Sequence, residues 1–136
     1  MRFNVGDKAS YTRQVTEADV QQFAVISGDD NPAHTDEAWA SKTRFGTRIA
    51  HGILSAGYIS AVLGTKLPGP GTIYLSQSLK FTAPVKFGST ITATVEVVEI
   101  VDGKRLRLRT TCHDQAGTLV LEGEALVLPP RELSAA

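Results

Sequence analysis

The chain has 136 residues, with 14 basic and 14 acidic side chains and a formal net charge of zero. This length predicts one domain over residues 1–136, with a flexible tail over residues 130–136. Charge neutrality argues against a nucleic-acid partner, which needs a basic surface to neutralise phosphates. The single cysteine, Cys112, excludes an internal disulfide framework. Because the first residues lack the apolar run of a signal peptide, we expect a cytoplasmic protein.

The first half of the chain has the pattern of short helices and loops. A strand over residues 8–14 precedes a helix that Thr16 caps, since Asp19 follows three residues later as in a capping box. Pro32 ends this helix, because proline disfavours helical backbone in the residue before it. Thr35 is then placed to cap a second helix.

Residues 49–65 contain no charged side chain apart from His51. They are nevertheless fewer than the roughly 20 apolar residues that a bilayer requires, and they include glycines. We therefore predict a buried helix over residues 52–63 and no association with a membrane.

The second half alternates apolar and polar residues, which predicts strands joined by tight turns and hence antiparallel pairing. The predicted strands cover residues 73–83, 90–101, 105–113 and 119–128. The apolar phase slips at Val97, which predicts a β-bulge, and Asp102-Gly103 predicts a hairpin. We expect an α+β fold in which four or five strands wrap around the apolar helix. Exposed edge strands would favour a homodimer.

Asp29 and His34 lie in a polar segment over residues 27–34. A carboxylate and an imidazole that converge can hold a water molecule and exchange protons with it. Gly28 and Pro32 would restrict the backbone between them, as such chemistry requires. The alternative is an ordinary turn with a surface histidine, because Asp, Asn and Gly are common turn residues.

His51 and Gly52 stand at the start of the predicted buried helix. Amides at a helix N-terminus are unpaired, so that of Gly52 could stabilise a developing enolate oxygen. Alternatively, Gly52 merely allows close packing and His51 caps the helix. Cys112 follows the apolar phase of its strand, which predicts a buried structural thiol. The three histidines have no metal-site spacing, and we predict no metal.

Residues 28–34 read Gly-Asp-Asp-Asn-Pro-Ala-His and match the Gly-Asp-x-Asn-Pro-x-His motif of the MaoC-like (R)-specific enoyl-CoA hydratases. Residues 51–64, beginning His-Gly-Ile-Leu, are similar to that family's central helix. The chain resembles the short hydratases that feed polyhydroxyalkanoate synthesis. The resemblance implies a hot-dog fold, an acyl-CoA thioester substrate, and syn hydration of trans-2-enoyl-CoA to (R)-3-hydroxyacyl-CoA.

By position, the resemblance implies that Asp29 and His34 activate water and that the Gly52 amide holds the thioester oxygen. It implies no cofactor beyond the CoA of the substrate. Which of Asp29 and His34 protonates the α-carbon stays open. The residues implied in substrate binding are Asn31, His51, Ser60, Leu63 and Val127.

Three alternatives remain. A 3-hydroxyacyl-[acyl-carrier-protein] dehydratase would use the same chemistry, and several cations suit either an acidic carrier or CoA phosphates. These cations are Arg44, Arg48, Lys66 and Lys86. A hot-dog thioesterase generally has a carboxylate on or beside the central helix, and residues 52–63 contain none. A non-catalytic hot-dog subunit tends to lose the Asp–His pair, which this chain retains.

Overall fold

The computed structural model describes residues 2–131. The strands in this part are β1 (Lys8–Gln14), β2 (Ile73–Gln77), β3 (Lys80–Phe81), β4 (Thr90–Val101), β5 (Arg105–His113) and β6 (Leu119–Leu128). The helices are α1 (Glu17–Ser27), α2 (Pro32–Thr35), α3 (Glu37–Ala40) and α4 (Gly52–Thr65). Of the predicted tail over residues 130–136, residues 132–136 lie outside the described residues.

The strands form one antiparallel sheet in the order β1-β4-β5-β6-β2, and β3 also pairs with β6. It has six strands, against the four or five expected. The predicted hairpin is confirmed, since Asp102 and Gly103 have φ values of 54° and 65°, as a tight primed turn requires. The predicted bulge is also confirmed, because the pairing of β4 with β5 shifts between Val97 and Glu99.

The prediction of one strand over residues 73–83 is wrong, because the chain breaks at Ser78 between β2 and β3. The Ser78 amide donates to the Glu124 carbonyl (2.9 Å), and the Ser78 hydroxyl accepts from the Glu124 amide (3.0 Å). The Ser78 carbonyl oxygen would lie 1.8 Å from a Cβ on Gly123. The regular ladder is therefore interrupted where the backbone passes closely over a glycine.

The prediction of a second helix that Thr35 caps is also wrong. Two one-turn helices occupy this region, with Asn31 as the N-cap of α2 and Asp36 as the N-cap of α3. Pro32 starts α2 instead of only ending α1, because its fixed φ suits the first helical position. The Thr35 hydroxyl donates back to the Asn31 carbonyl (3.2 Å). His34 thus lies on a short helix and not in a loop.

The core lies between the sheet and α4. Ile59 and Val62 of the helix are fully buried, as are Leu106 and Leu108 of β5. Complete burial of side chains of this size contributes roughly 1.5–3 kcal/mol each. The predicted arrangement of an antiparallel sheet around an apolar helix is confirmed. Within residues 2–131, no helix combines the length and apolar character needed to cross a bilayer.

Candidate active site

The end of α1 positions Asp29. Gly28 has φ of 79° and ends the helix in the left-handed conformation that glycine favours. The Asp29 amide donates to the Ser27 hydroxyl (3.1 Å), and Oδ1 of Asp29 accepts from the Asn31 amide (3.3 Å). One carboxylate oxygen is therefore held by the turn, which orients the side chain and leaves Oδ2 for another partner.

His34 is held by the segment that precedes α4. Its Nδ1 lies 2.7 Å from the Ile49 carbonyl oxygen, and the Ile49 amide donates to the Ala33 carbonyl (3.1 Å). Because a carbonyl oxygen only accepts, Nδ1 carries the proton, and Nε2 of the neutral ring keeps its lone pair. His34 is thereby prepared to accept or return a proton at Nε2.

His51 is the buried neighbour of this pair, with only 2% of its surface exposed. Its Nε2 donates to the Asp29 carbonyl (2.8 Å), which is the opposite tautomer to that of His34. The two imidazole rings are 3.9 Å apart at a tilt of 31°, and the edge of Phe23 packs on His51. His51 therefore supports both the backbone of Asp29 and one face of His34.

Gly52 is the first residue of α4, where a backbone amide has no acceptor within the helix. A Cβ at this position would lie 2.6 Å from Cδ1 of Phe81, so close packing also requires glycine here. The packing alternative and the oxyanion role are thus compatible. His51 is the N-cap residue of α4, as the alternative predicts, but its side chain makes no capping hydrogen bond.

Asp29, His34, His51 and Gly52 line one cavity of about 550 Å³. This volume lies in the range of small-molecule sites. The structure thus brings together all the residues for which the sequence predicts catalysis, on elements that are separate in the chain. The ordinary-turn alternative for residues 27–34 does not explain this convergence.

The remaining predicted substrate-binding residues do not line this cavity within residues 2–131. Leu63 and Val127 are buried in the core, and Ser60 is exposed on α4. The Asn31 side chain accepts from the Ala33 amide (3.0 Å) and so caps α2. Their part in substrate binding stays a prediction.

Several further residues line the cavity without having been predicted from the sequence as acyl or oxyanion contacts, among them Ser55, Phe45 and Phe81. Ser55 follows Gly52 by three positions and therefore shares its helix face, a spacing that the sequence already contains. No such local signal exists for Phe81, which reaches Gly52 only through the sheet.

Asp29, His34 and His51 are also the group of side chains in the described part that could hold a metal ion. One ligand atom from each lies within 4.8 Å of the others. Each imidazole already uses one nitrogen on a backbone carbonyl. The absence of a metal stays a prediction.

The buried structural role predicted for Cys112 is confirmed. Its side chain is fully buried, and its thiol donates to the Ser55 carbonyl (3.6 Å). Burial raises the pKa of the Cys112 thiol to about 12. The thiol is therefore protonated near neutral pH and is no nucleophile.

Three comparisons identify relatives of this chain. The MaoC-like domain matches residues 4–116. The (R)-specific enoyl-CoA hydratase of Rhodospirillum rubrum is 56% identical over 126 residues, which are 92% of this chain and 87% of that protein.

Two solved structures of R-hydratases are also similar to this chain. The unliganded R-hydratase PhaJ1 of Pseudomonas aeruginosa superposes with a TM-score of 0.92 at 48% identity, covering 98% of this chain and 88% of that one. The (R)-hydratase of A. caviae involved in PHA biosynthesis also gives 0.92, at 43% identity, covering 95% and 98%. The chain therefore belongs to the MaoC-like domain family and has the hot-dog fold.

Proposed function

We propose that this protein catalyses the reversible, (R)-specific hydration of trans-2-enoyl-CoA to (R)-3-hydroxyacyl-CoA. The observation that carries this proposal is the convergence of Asp29, His34 and Gly52 on one cavity. The names of the R. rubrum and A. caviae relatives support the reaction and a role in polyhydroxyalkanoate synthesis.

In the proposed mechanism, Asp29 and Nε2 of His34 hold the water molecule. As its oxygen bonds to C3, the water gives up a proton to this pair, and the double-bond electrons move toward the thioester carbonyl. The Gly52 amide donates to the resulting enolate oxygen, an interaction that is stronger in the transition state than in the ground state.

The proton that the pair removes from water is returned to C2, so both side chains recover their protonation states in each turnover. Because water and proton come from one pair of side chains, both add to the same face of the double bond. This sequence requires no metal, no redox cofactor and no covalent intermediate, and its reversal is dehydration.

Two of the alternatives fit the site less well. Helix α4 contains no acidic residue, so it lacks the carboxylate expected of a hot-dog thioesterase. A non-catalytic subunit would not need the Asp29 carboxylate to be held by its own turn and the His34 ring to be held by Ile49.

The test is a spectrophotometric assay of crotonyl-CoA, in which hydration removes the absorbance of the conjugated double bond. Asp29→Asn and His34→Ala should each lower turnover by roughly 10²–10⁴-fold. Asp30→Asn is the matched control, because Asp30 adjoins Asp29 but does not line the cavity.

An (R)-specific dehydrogenase coupled to the assay would report the product's configuration. An (S) product, or near wild-type turnover in either site variant, would contradict the proposal. Turnover on the acyl-carrier-protein thioester but not on the CoA thioester would instead support the dehydratase alternative.

We also propose a homodimer. Strand β2 lies at an end of the sheet order, and its side chains Ile73, Tyr74 and Leu75 are exposed. Such an apolar edge favours pairing with a second copy. Leu75→Glu should lower the molar mass measured by light scattering to that of a monomer, whereas Val5→Glu, also at an exposed residue, should not. A dimeric Leu75→Glu variant would exclude this edge.

A cytoplasmic location is part of the same proposal. The one cysteine of the chain is a buried free thiol, and the protein therefore has no disulfide framework of the kind found in oxidising compartments.

A further inference from the structure

Arg44 lines the same cavity as Asp29, His34 and Gly52, and it is the one lysine or arginine among the lining residues of the described chain. Its side chain is exposed, and its guanidinium lies 5.1 Å from the ring centroid of Phe45. Since Phe45 also lines the cavity, this stacking keeps the positive charge at the cavity wall.

The guanidinium of Arg44 has no carboxylate partner within residues 2–131. Arg48, four residues further on, differs in this respect, because it forms ion pairs with both Glu17 and Glu37 at 3.2 Å. Lys66 is occupied as well, since its Nζ donates to the Ser10 carbonyl (2.5 Å). Lys86 also has no ion pair among the described residues, but it does not line the cavity. Of the four candidate cations, Arg44 therefore combines a place on the cavity wall with a charge that no carboxylate neutralises within residues 2–131.

The backbone around Arg44 is held in a tight turn. The Thr43 hydroxyl donates to the Ala40 carbonyl (2.7 Å) and accepts from the Phe45 amide (3.3 Å). The Gly46 amide donates to the Thr43 carbonyl (3.0 Å), and Gly46 has a φ of 71°. A charged side chain on such a turn loses little backbone entropy when it binds a ligand.

We propose that Arg44 binds a phosphate group of the substrate's carrier arm. This inference rests on the proposed function, which puts the thioester carbonyl at Gly52 and so directs the rest of the arm out through the cavity. A guanidinium forms two parallel hydrogen bonds with phosphate oxygens, and it does so without deprotonating. Phosphate is common to CoA and to the phosphopantetheine arm of a carrier protein, so Arg44 recognises a phosphorylated carrier and not the acyl chain.

The experiment compares three thioesters that share the crotonyl-pantetheine unit: crotonyl-pantetheine itself, crotonyl-4′-phosphopantetheine, which adds one phosphate, and crotonyl-CoA, which adds the phosphorylated adenosine nucleotide as well. Arg44→Ala should raise KM for crotonyl-CoA roughly tenfold or more, the expected effect of one charge-assisted hydrogen-bonded contact. Its KM for crotonyl-pantetheine should change by less than about twofold, because that substrate has no group for Arg44 to bind. Arg44→Lys should raise KM for crotonyl-CoA less than Arg44→Ala does, since lysine keeps the positive charge but lacks the two parallel N–H donors of the guanidinium.

Lys42→Ala is the matched control, because Lys42 lies in the same turn but does not line the cavity. A higher KM of Arg44→Ala for crotonyl-4′-phosphopantetheine would place the contact at the phosphate that CoA and carrier proteins share. A higher KM with crotonyl-CoA alone would place the contact at the nucleotide part of CoA. Equal losses on crotonyl-pantetheine and crotonyl-CoA, or no loss, would overturn the proposal.

Calorimetric binding of free CoA separates this inference from the proposed function. If the wild-type protein hydrated none of the thioesters, the proposed function would fail, yet weaker CoA binding by Arg44→Ala would still support the phosphate contact. Unchanged CoA binding in an active Arg44→Ala variant would overturn the contact and leave the hydratase function intact.

Discussion

At the scale of single residues, the site depends on which ring nitrogen of each histidine is engaged. His34 donates from Nδ1 to Ile49, whereas His51 donates from Nε2 to Asp29. The first arrangement leaves a lone pair available for proton transfer. The second uses the buried ring to hold the backbone of Asp29. Two neighbouring imidazoles therefore have different roles because different backbone carbonyls face them.

Gly52 offers a test at this scale, because a methyl group there must displace the ring of Phe81. We expect Gly52→Ala to lower kcat/KM for crotonyl-CoA and to destabilise the fold by about 1–3 kcal/mol, as overpacking does. Adding Phe81→Ala should recover part of both losses, since Phe81 is half exposed and supplies the clash.

A double-mutant cycle measures this coupling. If the effects of Gly52→Ala and Phe81→Ala simply add, the contact with Phe81 does not explain the requirement for glycine.

At the scale of the elements, α1 is stabilised at its start by the capping box that the sequence predicts. The Asp19 amide donates to the Thr16 hydroxyl (3.1 Å), and the Thr16 amide donates to the Asp19 carboxylate (3.2 Å). Arg13 of β1 binds the same carboxylate at 2.6 Å. This ion pair connects the edge strand to the helix that carries Asp29 at its other end.

The hydrogen bond from Arg13 holds the pKa of Asp19 below its ordinary value of 3.8, with the Thr16 amide adding to the effect. Asp19→Ala should lower the free energy of unfolding by about 1–2 kcal/mol at neutral pH, as loss of an N-cap partner does. Because the folded-state pKa is depressed, this contribution is present above pH 3.8 and is lost as pH falls further.

Urea denaturation at pH 7 and near pH 3 would measure the effect. Gln22→Ala, at an exposed position of the same helix, is the control and should change stability little. A pH-independent difference between wild type and Asp19→Ala would show that the carboxylate's charge is not involved.

At the scale of the whole molecule, Cys112 links the sheet to the central helix through its bond to Ser55. Burial raises the pKa of this thiol from 9.0 to about 12, so the folded protein disfavours the thiolate. Because the pKa is higher in the folded protein, the buried Cys112 thiol contributes fully to stability below pH 9.0. This contribution is lost as pH rises toward 12.

Wild type should therefore lose stability between pH 8 and about pH 10.5 more steeply than Cys112→Ala, by about 1–2 kcal/mol. Tyr58 and Tyr74 have pKa values raised to about 12 by burial and titrate in both proteins, so the comparison cancels their effect. Parallel pH profiles of the denaturation midpoint would contradict this role of the buried thiol.

Local patterns predicted local structure in this protein. The cap of α1, the apolar helix α4 and the hairpin at Asp102 each depend on residues a few positions apart. The break in the predicted strand over residues 73–83 does not depend on neighbouring residues, because Ser78 forms its hydrogen bond with Glu124 of β6, 46 residues away. The alternation of apolar and polar residues indicates which face of the sheet each side chain lies on. It does not indicate where contact with a distant strand interrupts the backbone hydrogen bonds between strands.

The same distinction applies to the site. The sequence alone determined the Asp29–His34 pair and the glycine amide at the start of α4, because spacing and motif resemblance are properties of the chain itself. Only the tertiary structure decided that His51 supports Asp29, that Phe81 covers Gly52, and that Arg44 faces the cavity while Arg48 is paired. These contacts join residues on separate elements, and packing and sheet register determine which of them meet.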